Sequence, residues 1–560
     1  MTVIFLIIVF LSVFFIIGNI LRNIKFKKIT IKYLNSSYGK KPSNSSKTNF
    51  DFLGKYYKER INYEKSNHNY IDNITWNDLD MNTVFKRINY TKTTLGETYL
   101  YYKLKKINYN KLETEKIENL ISIFEKNCNL RNTIGLNLMK ISKFNNETLI
   151  NFIYNPMQKG IDKFYIYPVL SIVFIISILL SCFNIKIGFI LLFLSFCTNA
   201  IFYQKGKIQL QDNIYALNYL FTNISICNKF TKIINDDFNQ YKTNIKNMLK
   251  KCKSLSKARF FNSMISDKDS AFFDAHMFLE LFRMFFMTQI ISYEIILKIL
   301  HKNTNNFLEI YKIIAEIDVA LSICYYRKSL KNYCIPTFTK EATFKCKNLY
   351  HPLVDNCIEN SIHIKNGCIF TGSNASGKST FIKSIALNII LSQNINTSLC
   401  SEYIGKFSKV VTSMSIKDNV LNGDSYFIAE IKSLKRLLDS TKDNIYIIAF
   451  VDEILKGTNT LERIAASTAL LKYASKCDNI TILTATHDME ITELLNDCYT
   501  NYHFSENIID NNIYFDYKLK EGPSNTTNAL KLLEIMDFDS EIINTANSIC
   551  YNLKRNKPIL

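Results

Sequence analysis

The stretch Cys368-Ile369-Phe370-Thr371-Gly372-Ser373-Asn374-Ala375-Ser376-Gly377-Lys378-Ser379-Thr380 decides how the carboxy-terminal part of this chain is read. An apolar, strand-like run leads into G-x-x-x-x-G-K-S, and helix-like sequence follows from Phe381 to Leu391. Strand, glycine-rich turn and helix in that order is the context phosphate binding requires. The glycines let backbone N–H groups wrap phosphate oxygens, and the helix amino end adds its positive dipole. The spacing assigns Gly372 through Thr380 to the phosphates of ATP. Lys378 reaches the β- and γ-phosphates, and the Ser379 hydroxyl binds Mg²⁺.

About seventy residues on stands Ile445-Tyr446-Ile447-Ile448-Ala449-Phe450-Val451-Asp452-Glu453. A buried parallel strand is continuously apolar and ends in its functional residue. Asp452 is therefore expected to hold the Mg²⁺ shell, and Glu453 to polarise the attacking water as general base. A third strand, Ile480 to Thr486, ends at His487, which suits a sensor of the γ-phosphate at the carboxyl edge of the sheet. Short β-branched runs alternate with helices from about Ile335 onward, so residues 336–560 read as an α/β P-loop NTPase domain.

Upstream the pattern differs. Residues 75–163 and 204–335 carry apolar residues at helical spacing, as in Leu79, Val84, Phe85 and Ile88, or Phe278, Leu281, Phe282 and Phe285. Both segments read as all-α, and such aromatic stripes read as core. No heptad pattern is sustained long enough for a coiled coil.

Three apolar tracts interrupt this picture. Residues 1–21 are nearly all apolar, and their basic cluster follows rather than precedes them, which argues for an uncleaved anchor over a signal peptide. Residues 164–203 form a second tract, broken near Asn184-Ile185-Lys186, and suit two helices of roughly 20 residues each. The alternative for this tract is a pair of helices buried in a soluble core. Between Arg22 and Phe50 lie eight Lys or Arg and no Asp or Glu, whereas the hairpin turn carries only Lys186. The positive-inside rule then places residues 22–74, a basic linker able to meet anionic lipid, in the cytoplasm. It also places the ATPase there, giving a multi-pass membrane protein with three transmembrane helices.

Composition supports some of this and limits the rest. A 560-residue chain that is 47% hydrophobic and 21% charged is not disordered. Its 69 Lys and Arg against 49 Asp and Glu give a net charge of +20, which suits nucleic acid or an acidic membrane face. Only ten of those cations are Arg, and Asn, Ile and Lys abound, so codon bias accounts for part of the excess. Fourteen Cys, no two closer than ten residues, offer no metal-cluster or redox spacing and read as buried or free thiols in a reducing compartment.

The phosphate loop T-G-S-N-A-S-G-K-S-T, G-D-S-Y-F-I-A-E (423–430), D-E-I-L-K-G-T-N-T (452–460) and A-T-H-D-M-E (485–490) together resemble the ATPase domain of the MutS family of DNA mismatch repair proteins. The resemblance continues through Tyr517-Lys-Leu-Lys-Glu-Gly522 and reaches upstream to Tyr350-His351-Pro352-Leu353 and, more weakly, to residues 75–105. With apolar spans beside it, the chain is similar to the membrane-associated MutS-related branch. The resemblance implies a homodimer with two composite ATP sites, Mg²⁺-dependent hydrolysis, and DNA held between helical arms. It implies nucleotide-site roles for Asn374 and His351, a trans contact from Ser425 to the partner's γ-phosphate, and a dimer-facing loop at Gly457, Thr458 and Asn459.

Departures narrow the expectation. Residues 1–75 hold no Phe-x-Glu wedge of the kind the family uses to read mismatches. After His351-Pro352 no aromatic stands where the family stacks adenine. The hairpin at 164–203 falls about where the family's lever arms run out to the DNA clamp, which suggests that arm motion is delivered to the bilayer. An ABC transporter reading fails for want of an L-S-G-G-Q signature. A membrane-remodelling or scaffold ATPase that works without DNA stays open.

Overall fold

In the computed structural model, the alternating pattern after Ile335 builds two β-sheets. The structure describes residues 2–42, 48–64, 70–144, 147–154, 160–233, 239–251, 280–373, 376–414, 426–442, 445–509, 512–524, 536 and 538–555. Asn374, Ala375, Ser425 and Phe278 lie outside them. The chain divides into two compact units.

The unit that carries the phosphate loop comprises residues 68–85, 104–114 and 331–560. Its strands are β1 (Thr337–Phe338), β2 (Phe344–Leu349), β3 (Asn360–Ile364), β4 (Gly367–Thr371), β5 (Glu402–Gly405), β6 (Lys409–Ser413), β7 (Ile447–Asp452), β8 (Ile480–Ala485), β9 (Tyr499–Ile509) and β10 (Asn512–Glu521). Six form one sheet in the order β10-β9-β4-β8-β7-β6, parallel throughout except for the antiparallel β9–β10 hairpin. β1, β5, β2 and β3 form a smaller mixed sheet. The central strands are apolar along their whole length because both faces are covered, and Ile447, Ala449, Val451 and Ile482 sit in the core. The short helix Asn73–Asp78 belongs to this unit: the buried Asp78 carboxylate accepts from Thr412 Oγ1 at 2.7 Å and Met414 N at 3.0 Å, beside β6.

The other unit comprises residues 1–67, 86–103 and 115–330 and is helical throughout its described residues. Its polar anchor is Asp318, fully buried on the helix Thr304–Lys328. Asp318 accepts from Lys92 N at 2.9 Å and from Thr93 N and Oγ1 at 2.8 and 2.7 Å, capping the chain where the helix Thr94–Lys105 begins. Burial raises its pKa, while these hydrogen bonds favour the anion.

Two helices among the described residues are long and apolar enough to cross a membrane, Ile166–Phe183 and Ile185–Ile233. They turn on Asn184 and pack closely: a Cβ on Gly188 would stand 2.2 Å from Ser181 Cα, so only glycine fits. Ser177 and Ser195 hydroxyls meet across the pair at 3.3 Å. The second helix does not end with the apolar tract. It runs unbroken for 49 residues, Ile185–Ile233, across position 203/204. The tract at residues 1–21 forms the first half of the helix Thr2–Ser37; it is not among the two candidate spans, and its side chains before Ile17 lie outside the described residues.

Asp318→Ala would leave the amides of Lys92 and Thr93 buried without their acceptor. The expected loss is about 3 kcal/mol of stability, read as a lower melting temperature in detergent or nanodisc.

Candidate nucleotide site

Parallel register brings the three motifs to one edge. Phe370 of β4 pairs with Ala485 of β8, which pairs with Asp452 of β7. Two backbone bonds continue this alignment past the strand ends: Thr486 N donates to Phe370 O at 3.0 Å, and Glu453 N donates to Ala485 O at 2.9 Å. Glu453 itself has φ +57°, a left-handed backbone that costs energy for a non-glycine residue. The turn bends the chain sharply after the strand and aims the carboxylate at His487, whose Nε2 lies 3.4 Å from Glu453 Oε1.

The His487 hydrogen bond and the nearby Lys456 ammonium hold the Glu453 carboxyl down to about 2, against the pull of partial burial. It is therefore ionised at any working pH. Glu453, Lys456, Arg463, Thr486, His487 and Asp488 line a cavity of about 160 Å³. Arg463 grips Asp488 through both oxygens at 2.8 and 2.7 Å, fixing one wall. Glu430, the last residue of the G-D-S-Y-F-I-A-E stretch, is buried and accepts from Lys456 N at 3.1 Å and Gly457 N at 3.4 Å. The signature helix Tyr426–Asp439 is thereby tied to the loop after β7.

On β4's carboxyl side the phosphate loop turns through Gly372 (φ +135°) and Gly377 (φ +98°), conformations open to glycine. Lys378, nearly buried at the start of the helix Lys378–Ile395, folds its ammonium onto the loop, donating to Gly372 O at 2.5 Å and Ser373 O at 2.7 Å. Burial lowers its pKa, and Asp452, Glu453 and Glu506 oppose that shift. Ser373 Oγ donates to the Glu506 carboxylate, and Ser376 Oγ to Ser373 O at 2.7 Å.

A second cavity of about 570 Å³ opens beside the loop, lined among others by Ile358, Asn360, Gly377, Thr380, Phe504 and Tyr517. Tyr517 (φ +51°) sits in a register break of β10 between Phe515 and Leu519, and a bulge of this kind re-aims a side chain. Asn360 clamps the break, donating to Tyr517 O at 2.9 Å and accepting from Leu519 N at 2.8 Å. The ring comes so near the loop that a Cβ on Gly377 would lie 3.1 Å from Tyr517 Cδ1. In the sequence Tyr517 stands 165 residues after Pro352.

His351 is not among the lining residues of that cavity. It is buried, accepts from Leu353 N at its Nδ1 (3.2 Å), and stabilises the turn leading to Val354 and Cys357, which do line it. Of the expected site residues, Lys378, Asp452, Glu453 and His487 gather along one strand edge, whereas Asn374, Ala375 and Ser425 lie outside the described residues.

Residues 368–554 match the protein family described as MutS domain V. Over that stretch, about a third of its length, the chain is similar to MutS domain V. It is 28% identical over 250 residues to the DNA mismatch repair protein MutS of Staphylococcus epidermidis, and 26% identical over 261 residues to that of Staphylococcus aureus. These matches cover 42% and 44% of the chain but only 28% and 30% of the MutS relatives. The strands β7 and β8, all of β4 but Gly367, and the site residues beside them fall inside the MutS domain V match.

Burial, with the Lys383 charge nearby, pushes His351 down from 6.5 to about 4, with Asp80 opposing. Below pH 6.5 the unfolded chain takes up a proton that the folded domain refuses until about pH 4. Stability is thus complete above pH 6.5 and falls through that window by up to about 3 kcal/mol. Denaturant titrations of wild type and His351→Gln should show a shallower acid slope in the variant.

Proposed function

We propose that this chain is a membrane-anchored ATPase of the MutS type that binds and hydrolyses ATP with Mg²⁺. The observation that supports it best is the convergence of Lys378, Asp452, Glu453 and His487 at the carboxyl edge of one parallel sheet. The Ser379 hydroxyl and the Asp452 carboxylate are hard oxygen donors, suited to a divalent cation that takes its other ligands from phosphates and water. Bound there, Mg²⁺ would neutralise charge on the β- and γ-phosphates. Lys378 must leave the Gly372 and Ser373 carbonyls to meet phosphate oxygens, so nucleotide entry reorganises the loop. The 570 Å³ cavity takes the nucleoside, with Tyr517 as its stacking face.

A carboxylate held near 2 is a weak base at pH 7. Glu453 therefore acts by orienting and polarising water through a charge-assisted hydrogen bond more than by removing its proton. His487 keeps that carboxylate aimed. Ser425 is proposed to complete the partner's site in a homodimer, and Gly457, Thr458 and Asn459 to face the partner.

The membrane reading rests on exposed apolar surface. Only 22% and 17% of the apolar windows of the two hairpin helices are buried, which supports a lipid-facing role over that of a soluble core. Ile172, Ile176, Leu179, Phe183, Phe189 and Phe193 all face outward. Transfer of such a surface to lipid is strongly favourable. The apolar tract in the helix Thr2–Ser37 is proposed as a third span, which with the Lys-rich segment after it places the ATPase in the cytoplasm. The unbroken Ile185–Ile233 rod would carry motion between the lever region and the bilayer.

DNA is proposed as the partner of the cytoplasmic part on the strength of the MutS relatives' names; the absence of a Phe-x-Glu wedge in residues 1–75 argues against mismatch intercalation. A scaffold ATPase acting on the membrane alone is the second reading, favoured by the continuity of hairpin and lever.

In nanodiscs, Lys378→Ala should abolish ATP binding, and Glu453→Gln should bind ATP while losing nearly all turnover. Tyr517→Ala should weaken nucleotide binding by about 1–2 kcal/mol, roughly tenfold. Retained turnover in either of the first two variants overturns the site assignment. DNA binding should fall steeply with added salt. No DNA affinity at low salt, with an ATPase rate indifferent to DNA, would establish the scaffold reading instead.

A further inference from the structure

Residues 280–290 follow a path that a hydropathy profile does not reveal. Residues 280–285 are helical, the chain turns at Phe286 and Met287, and the helix Thr288–Lys302 begins at once. Met287 takes φ +49°, the left-handed step that reverses the chain. Tyr203 Oη, on the long hairpin helix, lies 3.0 Å from Glu280 Oε2 and 2.8 Å from Gln289 Oε1. The inbound and outbound legs of the turn therefore pass the same level of the hairpin.

Between those two points the chain goes deeper along the hairpin. Phe285 stacks on Phe174 at 4.6 Å and meets Phe196 at 5.6 Å, and Phe286 packs edge-on to Phe174 at 5.8 Å. Ser171 Oγ donates to Phe286 O at 2.8 Å, and Asn199 Nδ2 donates to Phe285 O at 3.0 Å. Ser171 stands five residues inside the start of one apolar helix, and Asn199 six residues before Lys205 on the other. At 1.5 Å per residue both donors sit roughly 7–9 Å inward from the polar ends of the hairpin.

Charge marks the opposite end of the turn. Glu280 is bonded to Lys207 at 3.0 Å and to Arg283 at 3.2 Å. Backbone carbonyls at a helix end are normally hydrated; at hydrocarbon depth they need protein donors instead. The turn has two, one supplied by a polar residue of each hairpin helix.

We propose that residues 280–289 form a re-entrant turn that enters one leaflet beside the hairpin and contacts lipid acyl chains through Phe282. Phe282 is 48% exposed and packs on Phe286 at 4.8 Å, so it presents an aromatic face outward next to the hairpin's lipid-facing surface. The inference rests on the reading that the hairpin spans the bilayer. It adds a further element at the membrane, too short for any span criterion, that joins the bilayer directly to the helix Thr288–Lys302.

Depth-dependent fluorescence quenching tests it. The chain has a single Trp, Trp76, which lies in the other compact unit, so the wild-type protein supplies the background. Phe282→Trp and, as hairpin control, Phe189→Trp are reconstituted in nanodiscs of phosphatidylcholine brominated either near the headgroup end or near the tail end of the acyl chains. The signal added by Phe282→Trp should be blue-shifted, shielded from aqueous acrylamide, and largely lost to bromines near the headgroup end. The Phe189→Trp control should be quenched by brominated lipid as well. If the control is quenched while the indole of Phe282→Trp remains open to acrylamide and untouched by either lipid, the re-entrant turn is refuted and the spanning hairpin survives. If neither position is quenched, the membrane reading of the hairpin falls with it. A circular dichroism melt of Phe282→Trp confirms folding, since an exposed ring is being replaced.

Discussion

The parallel register across β4, β8 and β7 is the constraint on which the nucleotide site depends. No pair among Gly372, Asp452 and His487 is close in sequence, yet strand pairing places Phe370, Ala485 and Asp452 side by side. Buried backbone N–H and C=O groups must be paired, so the ladder runs on beyond the strands, from Thr486 to Phe370 and from Glu453 to Ala485. A slip of one residue would turn each motif's side chains to the opposite face. The strained backbone at Glu453 persists because this ladder and Glu430's grip on the following loop over-determine it.

Around that edge the site has two halves with different chemistry. The apolar cavity near Tyr517 and Phe504 suits a flat ring, and the small charged cavity near Glu453 and Arg463 suits phosphate and water. Glu506 and Asn360 belong to neither motif, yet each holds a wall: one pins Ser373, the other clamps the bulge bearing Tyr517. Substitutions at such supporting residues would act through the shape of the site.

The helical unit has two kinds of surface. Where it faces water, its buried polar groups are satisfied locally, as Asp318 is by the chain at Lys92 and Thr93. Along the hairpin the surface is apolar and the seam is small and weakly polar, with Gly188 against Ser181 and Ser177 against Ser195. Close packing and short-range hydrogen bonds hold helices together where lipid competes equally for apolar side chains. The helix Ile185–Ile233 is unbroken, so its apolar first part and its later part move as one.

Much of this was legible in order along the chain. The phosphate loop, the apolar strand ending in Asp452-Glu453, the strand before His487 and the two hairpin helices follow from local periodicity and spacing, because strand, turn and helix signals are short-range. What required tertiary structure was every relation set by distant segments. Tyr517 reaches the loop through a bulge, Glu430 caps the loop after β7, and the helix Asn73–Asp78 packs on β6 although more than three hundred residues separate them. The turn at 280–289 reads in the sequence as one more amphipathic stripe, because a hydropathy window averages over the bend at Met287. Local sequence determined which elements form and what chemistry they carry; pairing and packing decided which side chains meet, since the energy of those contacts depends on neighbours that sequence spacing does not reveal.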